Sequence, residues 1–406
     1  MSATEVNYPE TTAFQGGGRL IIGIMAGVLT FWLFAQSVVN IVPAIQQDVA
    51  IPLGSLNLAI SLTGLFSGCF IVVAGGFADR FGRVKMTQLG FVLSIIGCLC
   101  LIVAQNSWLF AVGRIIQGLS AACIMPATLA LIKTYYQDAA RQRALSYWSI
   151  GSWGGSGLCS LAGGAIATYC GWKWVFILSI FCALAGMLLI RGTPESKVAA
   201  PVTHRFDYFG LFKQRAYSGA TLSNFLLNAV AGTLIVASIY VQQGRGFSAF
   251  QSGMLTVGYL IAVLAMIRVG EKLLQKVGAR KPMLWGTAIT GTGVALMALT
   301  QLSDSAYVAA VFIGYVLFGL GLGFYATPST DTAISNAPED KIGVASGIYK
   351  MASSLGGAFG IAISASVYAA LLPLGAATAA SAGLLVNVAF CVVSFITILL
   401  MVPRQK

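Results

Sequence analysis

The sequence predicts an all-α membrane protein whose twelve transmembrane helices form two pseudo-symmetric six-helix bundles. Three observations carry that expectation. Of 406 residues, 57% are hydrophobic and 9% are charged, against about 25% charged in soluble domains. Windows of about 19 residues resolve twelve apolar segments, each near the roughly 20 residues that cross a bilayer. One long polar break, from Gly192 to Ala216, divides them six and six.

Residues 1–18 are polar and lack the short basic-then-apolar layout of a cleaved signal peptide; they read as a cytosolic tail. The first bundle, residues 19–191, holds spans near 19–43, 55–77, 84–105, 107–134, 143–169 and 172–191. A cytosolic central loop, 192–216, follows. The second bundle, 217–402, holds spans near 217–243, 250–270, 282–302, 305–333, 342–372 and 380–402, and residues 403–406 are a short tail.

Lysine and arginine placement orients the chain in the cell membrane. Alternate connections receive Arg80, Arg83 and Lys85, then Lys133, Arg141 and Arg143, the central loop, Arg268 to Lys281, and Lys341; the opposite side receives only Lys173 and Arg245. Both termini are therefore expected in the cytosol. The same scatter among short loops, instead of one basic face, argues against a nucleic-acid partner despite a net charge of +12. The eight cysteines sit in or at the ends of apolar runs, and His204 is the single histidine, so no metal set is foreseen. No G-x-x-x-x-G-K-[ST] phosphate loop occurs. No cofactor is expected, and a membrane-embedded enzyme would need a clustered acid, base or nucleophile that the spans do not offer.

The halves echo each other. DRFGRVKM at 79–86 has a counterpart in QKVGARKPM at 275–283, and the fourth and tenth spans carry Gly118-Leu119 with Pro126 and Gly319-Leu320 with Pro328. Parallel repeats of this kind occur in transporters.

The most unusual stretch is GGFADRFGRVK at 75–85, which ends an apolar run that is free of charge from Leu58 to Gly76. Asp79 meets water at the edge of the second span. The connection SNAPEDKIGVASG reads as the start of the eleventh span, with Asn336 as cap and Glu339 and Asp340 in its first turn. A helix start offers free N–H donors and partial positive charge, so Asp79 can bind it if the two spans are neighbours. Gly75 and Gly76 would let the backbones approach, and Arg80 and Arg83 would hold the carboxylate. The alternative is an ordinary basic loop with an incidental acid.

G-G-x-x-D-R-x-G-R, carried here by Gly75, Gly76, Asp79, Arg80, Gly82 and Arg83, resembles the signature of the major facilitator superfamily. Arg114-Ile-Ile-Gln-Gly118 is similar to an element of its drug exporters. RQRALSYWSIGSWGGSGLCSLAGGAIATYCGWKW, SGATLSNFLLNAVAGTLIVA and GLGLGFYATPSTDTAISNAP closely resemble the Nor quinolone pumps of the fourteen-helix branch of drug:proton antiporters. The resemblance implies the facilitator fold, alternating access and proton-coupled export of amphipathic drugs, in a monomer surrounded by membrane lipids. Three departures accompany it. Phe206-Asp207-Tyr208-Phe209-Gly210 runs straight into Leu211-Phe212-Lys213, so the extra two-helix hairpin of that branch is expected to be absent. Ala35 stands where such exporters often place a first-span aspartate. The fifth-span antiporter motif keeps Gly155 and Gly163-Gly164 but has Cys159-Ser160 in place of Gly-Pro. A carrier of one defined metabolite or peptide, with or without proton coupling, is the alternative function.

In the fold this chain resembles, spans 1, 4, 7 and 10 line the central cavity. Gln36 and Asn40 share one face of span 1, and Asn224 and Asn228 one face of span 7; the alternative is that these amides bond neighbouring helices. Trp32, Phe34, Met125, Phe225, Phe324 and Tyr325 would add a deformable apolar wall. For the proton, Asp331 is the one acid well inside a predicted span, with a helix-end role as the alternative. Arg114 could hold an acid's charge, bind an anion or pair with backbone carbonyls. Glu271, among bases, reads as solvated, and Lys350 as a gate residue or a snorkelling lysine.

Overall fold

In a computed structural model, the chain is described over residues 14–404, apart from 36, 39, 40, 197–208 and 248. Every regular element there is helical. The first span is α1 (Gly18–Leu29), continued by a π turn over Thr30–Ala35, and a short α2 (Val42–Asp48) follows. The next spans are α3 (Leu53–Phe81), α4 (Arg83–Val103) and α5 (Ser107–Tyr135). The fifth span starts at Asp138, earlier than expected, and is α6 (Asp138–Ser149) and α7 (Gly155–Tyr169) joined by a π turn over Ile150–Gly154. α8 (Lys173–Ile190) completes the first half.

The second half repeats the plan. α9 (Arg215–Ala229) and α10 (Gly232–Ile239) make one span with a break at Val230 and Ala231 that the apolar pattern does not announce. α11 (Ala249–Val277), α12 (Arg280–Met297), α13 (Asp304–Ser335), α14 (Ile342–Leu371) and α15 (Ala376–Met401) follow. Ten of these helical segments are long and apolar enough to cross a membrane. The expected fifth and ninth spans are helical but less apolar; Arg280 and Lys281 open the ninth.

Each half has its own cores. Phe91, Ile124 and Leu145 centre one, and Val38, Cys98 and Phe176 another in the first half. Val263, Met283, Phe318 and Leu384 centre the main core of the second. The central helices α5 and α13 each carry an interior proline, Pro126 and Pro328. An interior proline removes one ladder bond and bends the helix. Nearby hydroxyls bond the carbonyls of the turn: Thr128 to Ile124 at 2.7 Å, and Thr332 to Pro328 at 2.8 Å.

We call the face bearing Arg83, Lys133 and Arg268 the basic face. On the opposite face, Arg245 ties the loop before α13 to the end of the seventh span. Its guanidinium donates to Asp304 at 2.7 Å and to the carbonyls of Thr300 and Leu302 at 2.8 Å, and lies 4.2 Å over the Tyr307 ring. Burial works against its charge, but the bonds to Tyr240 and Asp304 outweigh it and raise its pKa. Arg245→Gln is expected to cost about 1–3 kcal/mol, since charged hydrogen bonds are lost and carbonyls are left unpaired; thermal unfolding of the purified protein measures it.

Candidate functional site

The two bundles meet most closely where α3 crosses α14 at the basic face. The Asp79 carboxylate accepts from the backbone N–H of Gly343 at 2.7 Å and of Val344 at 3.0 Å. These are first-turn amides of α14, which no side chain of its own caps. Asp79 thus supplies the missing acceptor from the other bundle. The helix starts at Ile342, later than the sequence suggests: Asn336 ends α13, and Glu339 and Asp340 lie in a 3-10 turn ahead of α14.

Backbone contact makes this reach possible. A Cβ on Gly75 would sit 2.3 Å from the Gly343 carbonyl oxygen, and a Cβ on Gly343 equally close to the Gly75 oxygen and 2.5 Å from Asp79 Oδ1. Gly76 is buried on the same helix. Only paired glycines permit such an approach.

Arg83, one turn beyond, holds the same carboxylate oxygen through Nη2 at 2.8 Å and Nε at 3.2 Å. It also donates to the Glu339 carbonyl at 3.2 Å and to the Ser196 hydroxyl at 2.9 Å. Both side chains of the ion pair are over nine-tenths buried. Arg80 does not join them: it is exposed and packs over Phe81, because its position on α3 points away from α14. Gly82 has φ +124°, a conformation open to glycine, and a Cβ there would meet the Glu195 carboxylate at 2.3 Å. That carboxylate accepts from the amides of Val84 and Lys85 at 2.9 and 3.1 Å, capping α4. Nearby, Lys133 of α5 donates to the Ala337 carbonyl at 2.5 Å.

A second junction, missed from sequence, joins α6 to α11. Glu271 is 2% exposed, where its basic neighbours had suggested solvation. It pairs with Arg268 at 2.5 Å and, across the bundles, with Arg143 at 4.0 Å. Arg268 lies 4.9 Å over the Tyr147 ring of α6. The signal available was spacing: Arg268 and Glu271 at i, i+3, facing Arg143 and Tyr147 at i, i+4.

Lys350 is two turns deeper on α14, about 10 Å along the axis from Gly343. Its buried ammonium donates to Ser152 at 3.3 Å and lies 5.0 Å from the Trp148 ring centre and 5.6 Å from that of Trp32, all on the other bundle. Towards the opposite face, no hydrogen bond or ion pair between described residues joins the halves.

The remaining expected residues are placed as follows. Gln36 and Asn40 lie outside the described residues. Phe34 and Met125 are buried in cores of the first half. Asn224 is fully buried and bonds Ser353 at 2.5 Å and the Tyr349 carbonyl, so it joins α9 to α14. Asn228 is half-buried and donates to Asn224. Phe225 packs on Phe359. Phe324 is half-buried, whereas Tyr325 is fully buried with its hydroxyl on Ser223 at 2.6 Å. Arg114 is fully buried and donates to the carbonyls of Ala35 at 2.6 Å and Ala59 at 3.4 Å and to Gln117 at 2.7 Å. Backbone carbonyls are thus among its partners. Asp331 is half-buried near the basic end of α13, accepts from Ser335 at 3.2 Å, and forms no ion pair within 4.0 Å among the described residues.

Two helical bundles meeting at a G-G-x-x-D-R-x-G-R loop define a facilitator-type membrane transporter, and the chain belongs to the Major Facilitator Superfamily, whose profile matches residues 21–361. It is 50% identical to the quinolone resistance protein NorB of Staphylococcus aureus strain COL, with 98% of each chain covered, and NorB of strain JH9 matches equally. That alignment runs over 456 positions against 406 residues here, so at least 50 of its positions have no counterpart in this chain. Among solved structures, a bacterial homologue of the iron transporter ferroportin in its outward-facing state superposes with a TM-score of 0.75 at 14% identity, covering 94% of this chain and 98% of that one. The proton:xylose symporter XylE superposes at 0.71 and 16%, covering 96% of both. At such identities these likenesses concern fold.

Asp79→Asn keeps the size of the side chain but removes its charge from Arg83 and the α14 amides. It is expected to weaken this junction by about 2 kcal/mol. Spin labels at Lys85→Cys and Lys272→Cys, in a background cleared of native cysteines, should report a broader and longer distance distribution across the basic face than in the protein with Asp79 intact.

Proposed function

We propose that this chain is a secondary active exporter that moves amphipathic drugs, quinolones among them, out of the cell in exchange for protons. The observation that carries the reading is 50% identity to quinolone resistance proteins over 98% of both chains. The basic face is cytosolic in this proposal, so both termini are too, and the bundles 19–191 and 217–402 rock about a shared pocket as a monomer. The bonds of Asp79, Lys133, Arg143 and Lys350 then close the cytosolic side.

The closing contacts are separable. Gly343 and Val344 can exchange Asp79 for water when α3 and α14 part, and Arg83 can travel with Asp79 because both belong to the first bundle. Each contact is a few kcal/mol or less, so substrate binding can offset them through differential affinity for the two states. Asp331 is the proposed proton carrier. Among the described residues it accepts from one hydroxyl and has no ion pair within 4.0 Å, with Arg141 acting on it only at longer range, whereas Glu271 is engaged by arginines.

The test is efflux of a fluoroquinolone and of a cationic dye from cells, with and without a protonophore. Collapse of both on protonophore addition is expected; export that ignores it would remove the antiport reading. Asp331→Asn is expected to leave dye binding intact and abolish the dependence of transport on an imposed pH gradient in vesicles. Persistence of that dependence would reassign the proton to another group.

A further inference from the structure

We propose that a cavity at the basic face, between the start of α9 and the end of α15, binds the phosphate headgroup of an anionic phospholipid. The inference rests on the membrane fold and is independent of what the protein exports. The cavity measures about 320 Å³ and is lined by Arg215, Arg280 and Arg404 together with Leu399, Leu400 and Met401. No acid lines it, and none of the three arginines forms an ion pair within 4.0 Å among the described residues.

Two details make the arginine cluster more than a basic loop. Arg280 spends Nη2 on the Leu399 carbonyl at 2.9 Å, which fixes the guanidinium, while its buried Nε has no partner. A buried donor without an acceptor costs free energy until one arrives. Arg215 and Ala216 are the first two residues of α9, a helix of 15 residues with no side-chain cap. Helix starts favour phosphate through their free amides and dipole. Beside this polar end, Leu400 is 63% exposed, and the exposed side chains of Leu399, Ile396, Val393 and Val392 continue along α15. A charged headgroup slot opening onto an apolar strip at the level of the bilayer edge matches a diester whose acyl chains follow the helix. A phosphate diester offers the planar guanidinium fork two acceptor oxygens, and basic pockets between transmembrane helices on the cytoplasmic side take anionic headgroups.

Native mass spectrometry of the purified protein, supplied with equimolar phosphatidylglycerol and phosphatidylcholine, tests this. Phosphatidylglycerol should be retained in preference, and Arg215→Gln, Arg280→Gln and Arg404→Gln should each weaken its retention, by about fivefold per charge removed. Lys85→Gln and Lys272→Gln, on the same face outside the cavity, should leave it unchanged. Arg404→Gln, at an exposed position, keeps the test valid if the inner variants fold poorly. Equal retention of the two lipids, or retention indifferent to the three arginines, overturns the proposal. Full displacement of phosphatidylglycerol by millimolar inorganic phosphate overturns it too, assigning the cavity to a soluble anion.

Discussion

A carboxylate from one bundle occupies the amino end of a helix from the other, and the architecture of the basic face is arranged around that contact. Asp79 needs a neighbour whose amides are unpaired, which α14 provides because no cap precedes Ile342. It needs close passage, which Gly75 and Gly343 provide. It also needs charge compensation away from water, which Arg83 supplies from one turn further along. A buried carboxylate without these partners would be strongly unfavourable. The family signature at this loop is therefore a set of mutually dependent solutions to one burial problem.

The two junctions between the bundles differ in kind. At α3 and α14 the recognition is carboxylate to backbone, buried and geometrically exacting. At α6 and α11 it is an ion pair at 4.0 Å, with Arg143 63% exposed, supported by a cation over a tyrosine ring. An exposed, long ion pair contributes little and is screened by salt. Stiffness is accordingly expected from the first junction and compliance from the second, with Lys350 between its two tryptophans bridging the halves midway. Under the export reading, this graded interface lets one side release before the other.

Much of this was readable in the sequence, and what was not has physical reasons. The apolar spans and the Asp79 loop stand out because charge inside apolar runs is rare and costly. The breaks at Val230 and in the π turns were hidden, since hydropathy averages over a turn and is blind to one inserted residue. Side-chain direction was the weakest expectation. In lipid, the outer face of a helix is as apolar as its packed face, so periodicity does not separate them. Asn224 looked like a pocket residue but bonds Ser353 on α14, and Glu271 looked solvated only because its burial comes from α6, more than a hundred residues away. Arg80 and Arg83 are equivalent by composition; Arg80 is exposed on the last turn of α3, whereas Arg83, the first residue of α4, reaches back to Asp79.

The receiving half of the Asp79 contact consists of main-chain N–H groups. Every residue type except proline carries that group, so most point substitutions on α14 cannot delete the acceptor's partner. At Val344 the side chain can drift under selection while the donor persists. Gly343 is the exception, because any added methyl strikes the Gly75 oxygen. Variation that reshapes what such a protein carries can thus accumulate along α14 while its docking point stays intact, except at Gly343 and at Gly347, where an added Cβ would meet the Ile71 carbonyl oxygen of α3 at 2.9 Å.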